Sequence, residues 1–195
     1  MICSLGSSFD TLKLITKRGV FQSMAKKVAI VITDLFEDVE YFSPKDALEA
    51  AGHETVAISP KGGATIEGKK GKTTTSDKGI DEVKAEDYDA LFIPGGYSPD
   101  KLRADERFLA FTQKFDQANK PIFSICHGPQ LLINAEVIKG KTVTSAPQVG
   151  IDLTNAGANF VDKEVAVDDS GLISSRSPDD LPAFNKAIVD SLNQL

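Results

Sequence analysis

A thiol and an imidazole stand side by side in Phe123-Ser124-Ile125-Cys126-His127-Gly128-Pro129. The apolar segment Pro121 to Ile125 reads as a buried strand, and Gly128 with Pro129 punctuates the start of a helix. Cys126 is therefore expected on a sharp strand-to-helix turn, at the positive end of a helix. Both settings favour the thiolate, the form that attacks electrophiles. A lone cysteine is more often a small buried hydrophobe. The adjacent His127 and the turn residues favour a nucleophile here.

Two further segments supply what such a nucleophile needs. Pro94-Gly95-Gly96 ends the apolar run Asp89 to Ile93. A diglycine there is either a turn requiring positive φ or a place where backbone N–H groups meet a substrate oxygen. In the second reading Gly96 N–H and His127 N–H are the pair that would hold an oxyanion. Neither GxGxxG nor GxxxxGK[ST] occurs, so a phosphate-binding loop is not supported. Glu37-Asp38-Val39-Glu40 precedes a helix. Acidic residues at that point favour the helix dipole, and a buried carboxyl beside a thiol can also hold or relay a proton.

Residues this far apart meet only if the elements between them converge. Val28 to Ile32 is a β-branched run suited to a strand covered on both faces. An acidic loop, Asp34 to Glu40, follows it, then a helix with Ser43 as N-cap and Pro44 at its first position, ending at Gly52. Thr55–Ser59, Asp89–Ile93, Pro121–Ile125 and Lys141–Ser145 read as further strands, and residues 61–79 as a loop or short antiparallel excursion. Helices are expected over Asp105–Asn119, Pro129–Ala135, a short stretch to Ala156, and from Ser177-Pro178 to the end. Phe160–Val167 and Leu172–Ser175 flank a hairpin turn, Asp168 to Gly171. His53 reads as a surface residue and Arg176 as an ion-pair partner at the last helix. Alternation of this kind predicts a doubly wound α/β sandwich, with its crevice beyond the carboxyl ends of the strands.

Composition narrows the classes. The 195 residues are 41% hydrophobic and 26% charged, with net charge −6 and no basic block, which argues against a nucleic-acid surface. No apolar run approaches the roughly 20 residues of a membrane span. Two cysteines, Cys3 and Cys126, and two distant histidines, His53 and His127, make neither a disulfide framework nor a metal site. A reducing setting follows, the cytoplasm being the expected compartment, and the thiol chemistry outlined above would need neither a metal nor an organic cofactor. Residues 1–23 differ in composition from the rest and read as a disordered extension, whether an upstream start, a leader or a weak presequence. Residues 24–195 read as one domain.

FEDVE at 36–40, PGG at 94–96, ICHGP at 125–129 and SRSPDDL at 175–181 occur in an order and spacing that resembles the PfpI-type intracellular protease family. That family lies in the superfamily of the parkinsonism-associated deglycase and is related to class I glutamine amidotransferase domains. The resemblance runs from about Met24 to the carboxyl end. It implies a flavodoxin-like, mostly parallel sheet between helices, with Cys126 as nucleophile on a strained elbow that includes Gly128. It further implies that His127 is the neighbouring histidine, that Glu40 hydrogen-bonds the thiol, and that Glu37 fills a nearby acidic position. Asp100 matches an accessory acid that orients the histidine across a subunit interface; the archetype has glutamate there, one methylene longer. A homodimer or larger assembly is implied with it.

The activity implied first is stress protection by a Cys-dependent glyoxalase III or deglycase acting on methylglyoxal and similar dicarbonyls, or on their adducts with proteins and peptides. An intracellular cysteine peptidase and a non-enzymatic redox sensor or holdase are the alternatives.

Overall fold

A strand covered on both faces needs no polar alternation, and the central strands of this chain have none. The computed structural model describes residues 24–195. The extension expected over residues 1–23, with Cys3, lies outside the described residues. Strand β1 (Lys27–Val31) is followed by helix α1 (Asp38–Ala50), β2 (Glu54–Ser59), the short strands β3 (Thr65–Glu67), β4 (Thr73–Thr75) and β5 (Lys78–Gly79), then β6 (Ala90–Ile93). Helices α2 (Ser98–Leu102) and α3 (Glu106–Gln117) lead to β7 (Ile122–Ile125) and α4 (Pro129–Asn134). The chain closes with β8 (Thr142–Val143), α5 (Pro147–Asn155), β9 (Asn159–Phe160), β10 (Val165–Val167), β11 (Leu172–Ser175) and α6 (Leu181–Asn193).

The main sheet has the order β10-β11-β7-β6-β1-β2-β5, parallel throughout except for the edge strand β10. Its five central strands run second, first, third, fourth, fifth in chain order, which is the flavodoxin-like arrangement. Alternate residues of each strand feed opposite cores. Ala29, Val31, Leu91 and Ile93 pack against Phe108, Phe115, Leu131 and Leu153 of α3, α4 and α5. Val28, Ile30, Phe92 and Phe123 pack against Tyr41 and Leu48 of α1 and Phe184, Ile188 and Leu192 of α6. Among the described residues, no helix is long and apolar enough to cross a membrane.

Several local expectations are corrected. Helix α1 begins at Asp38, before Ser43-Pro44, so its first turn carries Asp38 and Glu40. Ser43 is not a cap; its hydroxyl accepts from Asn185 of α6 at 2.8 Å. Pro44 lies in the second turn, where it removes the N–H that would otherwise reach the Glu40 carbonyl. The run Lys141–Ser145 does not join the main sheet: β8 pairs with β9 in a separate parallel ribbon. The chain is diverted there because Thr144 N–H donates to Ser174 Oγ (2.9 Å) and Ala146 N–H to the carbonyl of Cys126 (2.9 Å). The stretch Phe160–Val167 divides between β9 and β10. His53 is buried, its Nδ1 accepting the Lys26 N–H at 3.2 Å where α1 turns back into β2. Arg176 pairs with Asp180 and Asp162 as expected.

Candidate active site

The site lies beyond the carboxyl ends of β1, β6 and β7, where strand order reverses. Cys126 follows β7 with φ of 60°, a left-handed conformation that costs a non-glycine residue about 1–2 kcal/mol. Three backbone bonds hold it there. Cys126 N–H donates to the Ser175 carbonyl (3.0 Å), Ala146 N–H to the Cys126 carbonyl (2.9 Å), and Gly128 N–H to the Ile125 carbonyl (2.8 Å). Gly128 is required by space, since a Cβ there would lie 2.5 Å from both the Ile93 carbonyl oxygen and Ser124 Oγ.

The Pro94–Gly96 turn closes against the segment entering α1. Phe36 and Gly96 form an antiparallel bridge in which Glu37 N–H donates to the Gly95 carbonyl and Tyr97 N–H to the Leu35 carbonyl. Gly96 has φ of 81°, and a Cβ on it would meet Glu37 N at 2.4 Å. A Cβ on Gly95 would lie 2.3 Å from Glu40 Oε2 and 2.8 Å from Cys126 Cβ. The diglycine therefore lets a carboxyl and the elbow approach the same piece of backbone. The Gly96 and His127 amides bear on the Cys126 sulfur and favour its ionised form. These are the two N–H groups expected to hold an oxyanion.

Glu40 is wholly buried, and neither of its oxygens closes a well-aligned hydrogen bond among the described residues. The polar groups facing it are the Cys126 thiol and the Gly95 amide. Burial pushes its carboxyl up to about 7. Burial, and then the neighbouring Glu40 charge, push the Cys126 thiol up to about 12. This corrects the expectation of a standing thiolate. Turn and helix dipole are outweighed by desolvation, helped by the shortness of α4 at six residues. Between pH of about 7 and about 12 the Cys126–Glu40 pair carries a single negative charge, and near pH 7 it is still gaining it.

His127 is half-buried, and its Nδ1 lies 3.2 Å from Cys126 Sγ. Its pKa is lowered, by burial first and by the Lys69 ammonium next, so the ring is neutral at pH 7. Glu37 is buried and ion-paired with Lys69 (3.3 Å) and Lys70 (2.9 Å). Asp100 is on α2, where it is exposed and paired with Arg103, the residue that caps the helix's carboxyl end. It influences His127 through space only.

Glu37, Lys69, Gly96, Tyr97, Cys126 and His127 together line an open pocket of about 110 Å³. Lys69 and Lys70 were not singled out in the sequence. They come from the turn between β3 and β4, and only the run Gly68-Lys69-Lys70-Gly71 marks them. The adjacent Asp38, also buried, anchors that turn by accepting from Lys70 N–H (2.8 Å) and Lys72 N–H (2.9 Å).

A doubly wound sheet that presents a cysteine on a strained elbow, backed by a buried glutamate, defines the class. Residues 26–191 match the DJ-1/PfpI family, and the chain belongs to it. It is 54% identical over 164 residues to Protein/nucleic acid deglycase 2 of Escherichia coli, covering 84% of this chain and 95% of that protein. It is 52% identical to General stress protein 18 of Bacillus subtilis, again over 84% of this chain and 95% of the relative. Among solved structures, it superposes with TM-score 0.83 and 38% identity on a two-domain protein from Anabaena variabilis that contains DJ-1/ThiJ/PfpI-like and ferritin-like domains. That match covers 86% of this chain but 48% of the larger one.

Proposed function

We propose that the protein is a Cys126-dependent enzyme that converts α-oxoaldehydes, or their early adducts on amines, to 2-hydroxy acids. The observation that carries this reading is the buried Glu40 carboxyl packed against the Cys126 elbow, with His127 Nδ1 3.2 Å from the sulfur. A base, a nucleophile and a second proton carrier are thereby gathered around one small pocket.

With methylglyoxal, the Cys126 thiol adds to the aldehyde carbon and its proton passes to the Glu40 carboxylate. The carbonyl oxygen becomes an alkoxide, held by the Gly96 and His127 amides once the sulfur has spent its charge. Reprotonation from Glu40 gives the hemithioacetal. His127 then takes the hydrogen on the first carbon as a proton and returns one to the second carbon, while the hydroxyl proton on the first carbon passes, by way of Glu40, to the oxygen on the second. The first carbon is oxidised and the second reduced, so no outside oxidant is required. The product is a lactoyl thioester, which water cleaves to lactate and free thiol. With an aminocarbinol adduct, sulfur displaces the amine, which leaves with a proton, and the same sequence follows.

The pocket's size favours this reading over peptide cleavage. At about 110 Å³ it is well below the range that engulfs drug-sized ligands and suits a reacting group of a few atoms. Asp100, which the peptidase arrangement needs as an orienting acid, is paired with Arg103. The test is lactate formation from methylglyoxal by purified protein, with casein as the peptidase control. Wild type forms lactate and leaves casein intact, and Cys126→Ala forms none. Lactate production by Cys126→Ala at the wild-type rate would overturn the reading.

A further inference from the structure

The pocket has a cationic wall that the reaction above does not use. Lys69 and Lys70 project from the β3–β4 turn onto a single carboxylate, Glu37. Two ammonium groups thus converge on one carboxylate, which cannot neutralise both, and His127 opposite is neutral. Of the two, Lys69 lines the pocket with Cys126 and His127, and Lys70 does not. Lys69 also makes the looser ion pair, at 3.3 Å against 2.9 Å. Its ammonium lies 5.4 Å from the centroid of the Tyr97 ring, on the same rim. The turn is fixed in place. Lys69 N–H donates to the Phe36 carbonyl (2.9 Å), Leu35 N–H to the Glu67 carbonyl (2.7 Å), and Asp38 takes the amides of Lys70 and Lys72.

We propose that Lys69 is a specificity-determining residue that exchanges Glu37 for an anionic group on the substrate, so that the pocket prefers carbonyl compounds bearing a carboxylate or phosphate close to the reacting carbon. Glu37 is then a tether. It keeps the ammonium over the mouth when the pocket is empty and retains Lys70 when Lys69 moves to the ligand. The charge that Lys69 presents is close enough to act on both His127 and Glu40. An anion bound there shields both groups from it. This inference rests on Cys126 being the attacking group, but not on the dicarbonyl reaction itself.

A pair of alkylating reagents of nearly equal shape separates the two questions. Iodoacetate and iodoacetamide both transfer a methylene carbon to sulfur and release iodide, and only the first carries a carboxylate. The rate of modification at Cys126 is read by mass spectrometry of its own peptide, so that Cys3 does not contribute. In wild type, iodoacetate is expected to gain on iodoacetamide by roughly fivefold relative to Lys69→Met, at low salt, with the gain fading as salt rises. Lys69→Arg should keep the preference and Lys70→Met should keep most of it. Inorganic phosphate and pyruvate should each slow the modification of wild type and not of Lys69→Met, and their relative potency tells phosphate from carboxylate preference. A reagent ratio unchanged in Lys69→Met would overturn the proposal. So would an equal loss of rate with both reagents, which would mean that Lys69 merely favours the thiolate. Failure of methylglyoxal turnover in wild type, with the reagent preference intact, would sink the dicarbonyl reading and leave the anion site standing.

Discussion

Glu40 sets the working pH of the site. Its carboxyl titrates at about 7, and the thiol beside it is pushed to about 12, so over the physiological range only the first ionisation changes. With Glu40 protonated, the carboxylate that takes the thiol proton in this mechanism is lost. Activity is therefore expected to rise as pH passes upward through about 7 and then to level off. Glu40→Gln should slow turnover at pH 7 by roughly 10²-fold and move the acid limb of kcat/KM upward, towards the ionisation of the thiol itself. A pH–rate profile of the variant that overlays the wild type would remove Glu40 from the mechanism. His127 moves in the opposite direction. Its lowered pKa keeps the imidazole neutral, able to accept a proton across the range where Glu40 is ionised.

At the scale of elements, the β3–β4 hairpin matters more than its size suggests. Among the described residues it pairs only with itself, and it is fastened to the start of α1 by the buried Asp38 carboxylate. Asp38 also sits against Gly68, where a Cβ would lie 2.6 Å from Asp38 Oδ2. Asp38→Ala should cost about 1–3 kcal/mol, the scale of lost charged hydrogen bonds. It should also raise hydrogen exchange across residues 65–75 while leaving the elbow protected. Uniform exchange along the whole chain would contradict that local role. Asp38's own pKa is lowered, although burial alone would raise it, because the Lys70 and Lys72 amides hold its charge. The hairpin's hold is thus complete above the ordinary carboxylate range and weakens as pH falls below it.

The same elements explain what was legible in the sequence. β6 stands out as an unbroken apolar run, β1 as one after Lys27, and β7 as one interrupted only by the buried Ser124, because both faces of each strand are covered. The elbow is legible because Gly128-Pro129 punctuates it locally. The start of α1 is not, because Ser43-Pro44 mimics a cap, whereas the hydroxyl is spent on Asn185 of a helix about 140 residues away. Helix α2 is too short to show a period, so Asp100 looks like a loop residue. Lys69 is hidden for a related reason. Its proximity to Cys126 depends on a hairpin turning back onto α1, a contact that leaves no local pattern. The raised thiol pKa is likewise a product of packing, which dipole and turn arguments omit.

For the whole molecule, the buried glutamate is a liability that the two flanking cores must offset. A carboxyl raised from its ordinary 4.5 to about 7 by folding binds its proton more tightly in the native state than in the unfolded one. Its contribution is fully present below about 4.5 and is lost as pH rises through about 7, a swing of roughly 3 kcal/mol. Glu40→Gln, which carries no charge to bury, should therefore raise the melting temperature at pH 8 relative to wild type, with the gain shrinking towards pH 5. Thermal unfolding at the two pH values measures this directly, and a pH-independent difference would show that the carboxyl is not what limits stability.

The tip that carries Lys69 hangs from the α1 start by a few amides and one acid, and its own ribbon shares no rung with the seven-stranded sheet. Which molecules are admitted is therefore decided on an appendage, while the sulfur's reactivity is decided in the bedrock beneath it. A descendant lineage could exchange those few residues and acquire a new diet without rebuilding the furnace.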